Sequence, residues 1–139
     1  MMKKSLFAAA LILILATASY AGPDMQEGRW EITSTMEMPG MPAPIPPMTT
    51  TQCLTDKDLI PRNTQQSNEC KIVDTAIKGN TVSWKMVCNT QVGTTKGDGS
   101  ITYMGDRFEG AITMVLSGPD QPSMTMTTRM KGRRIGDCK

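Results

Sequence analysis

Residues 70–88 read CKIVDTAIKGNTVSWKMVC, two alternating segments parted by Gly79-Asn80, a dipeptide of the kind that joins hairpin strands. With Gly79 at the apex, Cys70 faces Cys88, Ile72 faces Met86, Asp74 faces Trp84 and Ala76 faces Val82. Side chains alternate with period two, so these eight share one face, and all but Asp74 are apolar or cysteine. The other face mixes Lys71, Val73, Thr75 and Ile77 with Thr81, Ser83, Lys85 and Val87. The stretch predicts a hairpin with one core face and one half-wet face. Asp74 is the misfit. A buried carboxylate has a raised pKa and needs a partner, whereas a bulge or frayed end would leave it wet, the commoner fate of this residue type.

The compartment is read from the other end of the chain. Residues 1–21, MMKKSLFAAALILILATASYA, carry Lys3 and Lys4, an apolar run from Leu6 to about Ala16, and the small-residue exit Ser19-Tyr20-Ala21. That pattern is a secretory signal peptide. The apolar run is shorter than the roughly 20 residues of a membrane-spanning helix, and no cysteine near the exit offers a lipid attachment point. Residues 22–139 are then one mature domain of ordinary size, not membrane-spanning once the leader is cleaved. Cleavage removes two lysines and leaves 13 basic against 13 acidic residues. The +2 of the full chain belongs to the leader, so a nucleic-acid or anionic-surface role loses its main support.

Cys53, Cys70, Cys88 and Cys138 form an even set in a small exported chain, which points to two disulfides. The hairpin favours Cys70–Cys88 and leaves Cys53–Cys138; the alternative joins Cys53 to Cys70 and Cys88 to Cys138. A zinc site is disfavoured, since no CxxC pair occurs and there is no histidine.

Outward from the hairpin, RWEITSTMEM alternates Trp30, Ile32, Ser34, Met36 and Met38 against Arg29, Glu31, Thr33, Thr35 and Glu37, a first strand with a polar outer face. PGMPAPIPP at 39–47 holds five prolines and predicts an extended surface loop. MTTTQCLT resumes as a strand, and Thr55-Asp56-Lys57-Asp58 has the form of a capping box, predicting one or two helical turns at about 55–60 before Pro61. RNTQQSNE reads as a loop and NTQVGTTKGDG as turn-rich. A second hairpin turns at Gly105-Asp106, with Tyr103 facing Phe108, Ile101 facing Gly110, and Ile112, Met114 and Leu116 continuing that face. After SGPDQP a last strand sets Met124, Met126, Thr128 and Met130 on one side. The expected fold is all-β: an antiparallel meander of about seven strands, curled into a half-barrel or small barrel, with one short helical turn and two disulfides.

Without histidine the commonest general base is missing. The carboxylates Glu31, Glu37, Asp74, Glu109 and Asp137 are spread over several predicted segments, Glu31 and Glu37 sharing the first strand, and nothing in the spacing makes any two converge. A non-enzymatic protein without a cofactor is the expectation. Methionine is the compositional excess, 11 of the 13 lying beyond residue 21. Alternating methionines are ordinary core filler and also suit flexible apolar ligands; as soft donors they equally suit Cu(I). The main expectation is a periplasmic module whose concave face, carrying Trp30, Ile32, Met36, Trp84, Met86, Tyr103, Phe108 and Met126, binds an apolar ligand or a protein partner. The alternative is a copper-binding protein using Met36, Met38, Met41, Met124 and Met126. The basic set Arg129, Lys131, Arg133 and Arg134 reads as a solvated strand face, and with few aromatics to interleave it gives no nucleic-acid site.

GRWEITSTMEMPGMP at 28–42, TQCLT at 51–55, TVSWKMVC at 81–88, MGDRFEGAITM at 104–114 and GRRIGDC at 132–138 together resemble a family of small exported proteobacterial proteins. That family is catalogued only as a domain of unknown function, the one numbered 3617. The resemblance spans the whole mature chain, implies a Gram-negative periplasmic setting and supports the four-cysteine framework. It implies no reaction, cofactor or site residue.

Overall fold

Alternating sequence becomes alternating burial over seven strands: β1 (Gly28–Glu37), β2 (Met48–Leu54), β3 (Cys70–Lys78), β4 (Thr81–Thr90), β5 (Gly93–Tyr103), β6 (Arg107–Gly118) and β7 (Gln121–Gly136). The computed structural model describes residues 22–61 and 69–139. The signal peptide assigned to 1–21, and all but the last residue of the loop expected at 62–69, lie outside them. The strands form one antiparallel sheet in the order β2-β1-β7-β6-β5-β4-β3. Strands β3 to β7 are a run of hairpins, and the β1–β2 hairpin is laid against the far side of β7. The sheet is therefore open, a half-barrel with β2 and β3 as its edges, and not a closed barrel.

One face of each strand turns inward. Read across the sheet, Ile32, Gly132, Phe108 and Tyr103 share a row; Met130, Gly110, Ile101, Val82 and Ile77 share the next; Ile112, Gly99 and Trp84 share a third. Glycine stands beside four of the large inward residues, Met86, Trp84, Ile101 and Phe108. A Cβ on Gly132 would sit 2.1 Å from Phe108 Cε1, and one on Gly99 2.3 Å from Trp84 Cζ2. A ring lying on the bare backbone of the next strand lets the sheet bend sharply around it. NTQVGTTKGDG is consequently not turn-rich: only Gln91-Val92 turns, and Gly97 and Gly99 are inward positions of an 11-residue strand.

The central hairpin departs from the expected register. Lys78 pairs with Thr81, so Gly79-Asn80 is a two-residue turn, with φ +57° at Gly79 and no positive φ at Asn80, the pattern of a type II′ turn. Near the turn Ile77 faces Val82, Ala76 faces Ser83 and Thr75 faces Trp84; a bulge at Val73 then restores Ile72 opposite Met86 and Cys70 opposite Cys88. Asp74 is thereby set opposite Lys85 on the convex face, exposed to water.

The expected helical turn at 55–60 is absent. Thr55 and Asp58 form an isolated bridge, with the Asp58 amide donating to the Thr55 carbonyl at 3.0 Å. Pro61 holds its predecessor extended, and the connection from β2 carries Leu59, Ile60 and Pro61 onto the core, where Ile60 and Pro61 are buried. Packing three apolar residues outweighs what a helix of one or two turns contributes. The Tyr103 hydroxyl donates to the Leu59 carbonyl and holds this segment down. Burial, with the Asp58 charge adding, pushes the Tyr103 phenol well above its ordinary pKa.

Two disulfides, Cys70–Cys88 and Cys53–Cys138, tie down both edges: the first bonds β3 to β4, the second reaches from β2 across β1 to the chain end beyond β7. For loops of 18 and 85 residues, the chain-entropy model assigns about 3 and about 4.5 kcal/mol.

Two outcomes follow. Gly132→Ala and Gly99→Ala should each lower the free energy of urea unfolding by about 2–4 kcal/mol through overpacking, while Gly136→Ala, whose Cβ would meet nothing within 4 Å, should change it by less than about 0.5 kcal/mol. The phenol ionises near pH 10 when unfolded and higher when folded, so above about pH 10 the unfolded state binds fewer protons and stability falls as pH rises. Tyrosinate absorbance of residues 22–139, in which Tyr103 is the sole tyrosine, should appear only as the protein unfolds. Tyr103→Phe should lose about 1 kcal/mol at neutral pH and show a shallower alkaline decline.

Candidate functional site

The concave face divides into a sealed half and an open half. At the sealed end Trp30, Tyr103 and Phe108 pack on one another with ring centroids 5.5–6.2 Å apart, two of the three contacts edge-on. Trp30 Nε1 donates to the Gln26 carbonyl at 3.0 Å, and Leu54, Ile60, Val82 and Ile101 close the space around the rings. Trp84 and Met86 are buried beside them. Trp84 Nε1 meets no acceptor among the described residues, a desolvation cost of about 1–3 kcal/mol that accompanies laying the indole across Gly99.

Six of the eight residues expected to line a ligand face, Trp30, Ile32, Trp84, Met86, Tyr103 and Phe108, are therefore packed into the interior. Few aromatics suffice to fill this core because the glycines beneath them narrow the sheet and the 59–61 segment closes it. Met36 and Met126 remain half-exposed.

The other half of the same face is made of thioethers. Met126 on β7 stands directly opposite Met114 on β6, and Met124 opposite Leu116. Met36 on β1 stands opposite Thr128, which makes it a diagonal neighbour of Met126. Met38 follows the end of β1 and turns the chain, its carbonyl accepting from the Met41 amide at 3.3 Å across Pro39-Gly40, with φ +88° at Gly40. Met36, Met38, Met114, Leu116 and Met126 are half-buried, and Met124 is 53% exposed. Met48, opposite Ser34, is also exposed. Of the methionines singled out in sequence, the structure brings Met36, Met124 and Met126 onto adjacent strands and leaves Met41 in the proline-rich loop. Sequence pattern had already put Met114 on this face; its pairing with Met126 needed the β6–β7 register.

Among the described residues, open clefts lie elsewhere. One, of about 430 Å³, runs between residues 56–60 and Thr75, Ile77 and Val82; another, of about 360 Å³, lies among Asp74, Ala76, Ser83, Lys85, Asp98 and Ser100; a third, of about 450 Å³, lies among Gly93, Thr94, Lys96, Val115 and Ser117. None of these touches Met36 or Met126.

On the convex face charge is paired across strands. Arg133 meets Glu31 at 2.9 Å and Arg129 meets Glu37 at 3.2 Å, whereas Arg134 stands opposite Trp30 on the inner side of β7 and reaches Asp137 and the Glu27 carbonyl at the end of the strand. Lys131 stands opposite Glu109, and Asp74 opposite Lys85. Arg129, Lys131 and Arg133 thus each face a carboxylate, as a solvated strand face does, and such exposed pairs add little stability; Arg134 departs from that face, lying half-buried on the other side of the strand. The five carboxylates are not paired with one another in the register, and among the described residues no three Asp, Glu or Cys side chains gather as a metal cluster. No helix of the described residues is long and apolar enough to cross a membrane.

The family model described as Protein of unknown function (DUF3617) matches residues 25–138. No curated protein and no solved structure matches the chain. Both disulfides, all seven strands and the whole methionine-lined half of the concave face fall inside the matched span, and the chain belongs to that family of unknown function.

Proposed function

We propose that this protein is a non-enzymatic, exported binding module of the Gram-negative periplasm, working through the methionine-lined half of its concave face on an apolar ligand. The observation that carries the reading is the division of that face. The aromatic half is sealed by its own side chains, whereas Met36, Met38, Met114, Leu116, Met124 and Met126 form a contiguous apolar surface left partly in water. A contiguous exposed apolar patch marks an interaction site more often than a scattered one. Methionine is the side chain suited to ligands of variable shape, being unbranched, flexible and polarisable. The paired charges of the convex face offer no competing site for an anion, and two disulfides suit an oxidising compartment.

The test is native mass spectrometry of residues 22–139 recovered from the periplasm of an expressing Gram-negative cell. The expected spectrum carries an added apolar mass that is lost in Met126→Glu, which puts a charge on the open half. A chain with only its own mass, or an adduct that survives Met126→Glu, would contradict the reading; a co-purifying protein displaced by the same substitution would replace the small ligand with a partner.

A further inference from the structure

Soft electron-pair donors in this chain are confined to its thioethers. There is no histidine, and all four cysteines are bonded to one another. The register brings three thioethers together on three neighbouring strands: Met36 on β1, Met126 on β7 and Met114 on β6. Met114 and Met126 are directly opposed, and Met36 is one diagonal step from Met126. Opposed side chains on antiparallel strands start from Cβ atoms about 5 Å apart and diagonal ones from about 7 Å, within reach of long side chains. Each methionine adds a flexible arm of three rotatable bonds, so the Met126 sulfur, on the middle strand, can meet that of Met114 across the pair and that of Met36 along the diagonal.

We propose that Met36, Met114 and Met126 form a three-thioether site for a soft monovalent cation, Cu(I) or Ag(I). Thioether sulfur selects such ions, whereas magnesium and calcium take oxygen ligands. All three residues are half-buried, so a bound ion keeps one side toward water and its single charge is not buried unpaired. Met38 and Met124 flank the trio and supply further sulfur as the ion enters or leaves. The site uses the sulfur atoms and not the apolar surface, so it does not require the apolar-ligand reading.

The experiment is a titration of residues 22–139, disulfides intact, with silver nitrate in chloride-free buffer, since Ag(I) stays monovalent without added reductant. One silver ion per chain is expected. Met36→Leu and Met126→Leu, which keep volume and apolarity, should each weaken binding by at least about tenfold, the lower end of the loss when only an outer partner of a metal site is removed. Met104→Leu, at the exposed β5–β6 turn, should bind as the parent does, and urea midpoints should show all variants folded. Parent-like binding in Met36→Leu and Met126→Leu, several equivalent silver sites, or no silver bound at one equivalent would each overturn the proposal. The same leucine variants retain an apolar surface and so leave binding of an apolar molecule intact, which keeps the two readings separable.

Discussion

A single sheet has one face to bury and nothing but itself to bury it against, and that constraint governs this molecule. No helix of the described residues covers the concave side. The sheet must curl tightly enough for its own side chains to meet, and glycine under three of the large residues helps it do so: Phe108 over Gly132, Trp84 over Gly99, Met86 over Gly97. Each pair removes a Cβ where a ring or thioether has to lie. The three aromatic rings then touch across β1, β5 and β6; β5 and β6 are neighbours, and the bend brings Trp30 of β1 to them across β7.

Curling without closure leaves two edges, and unpaired edges are where a sheet peels or pairs with strangers. Here each edge carries its own bridge, Cys53 on β2 and Cys70 on β3. The connection that leaves β2 lays Leu59, Ile60 and Pro61 on the core and is held there by the Tyr103 hydroxyl. Covering is thus concentrated at the end where the rings meet. The opposite end is lined by side chains that are long and flexible, and it stays half-open. Stability and availability for binding are divided along one surface.

Much of this was legible in the residues. Period-two alternation located the strands, and the Gly105-Asp106 hairpin fell in the expected register because a two-residue turn leaves no slack. The open half-barrel fits the expected curl. Three features were not legible. The Val73 bulge has no local signal, since it arises where the Gly79-Asn80 turn and the Cys70–Cys88 bridge each impose a register one residue apart. Gly97 and Gly99 read as turn residues because composition cannot distinguish a glycine chosen for its backbone freedom from one chosen for lacking a side chain. The Thr55-Asp58 pattern matched a helix cap, but the residues after it were claimed by the core. At the site, alternation put both the aromatics and the methionines on the inner face correctly. Which half would be filled depends on strand order and on the β2–β3 connection, and neither is a local property.

The central claim is that the concave face is half interior and half working surface, and methionine oxidation measures it residue by residue. Under limiting peroxide, with peptide mapping of residues 22–139, the account predicts that Met36, Met38, Met114, Met124 and Met126 convert to sulfoxide well before Met86 and Met130, which are 3% and 1% exposed. Conversion of Met86 and Met130 at the same rate as Met126 would contradict it, because the sealed half would then be as open as the half assigned to binding.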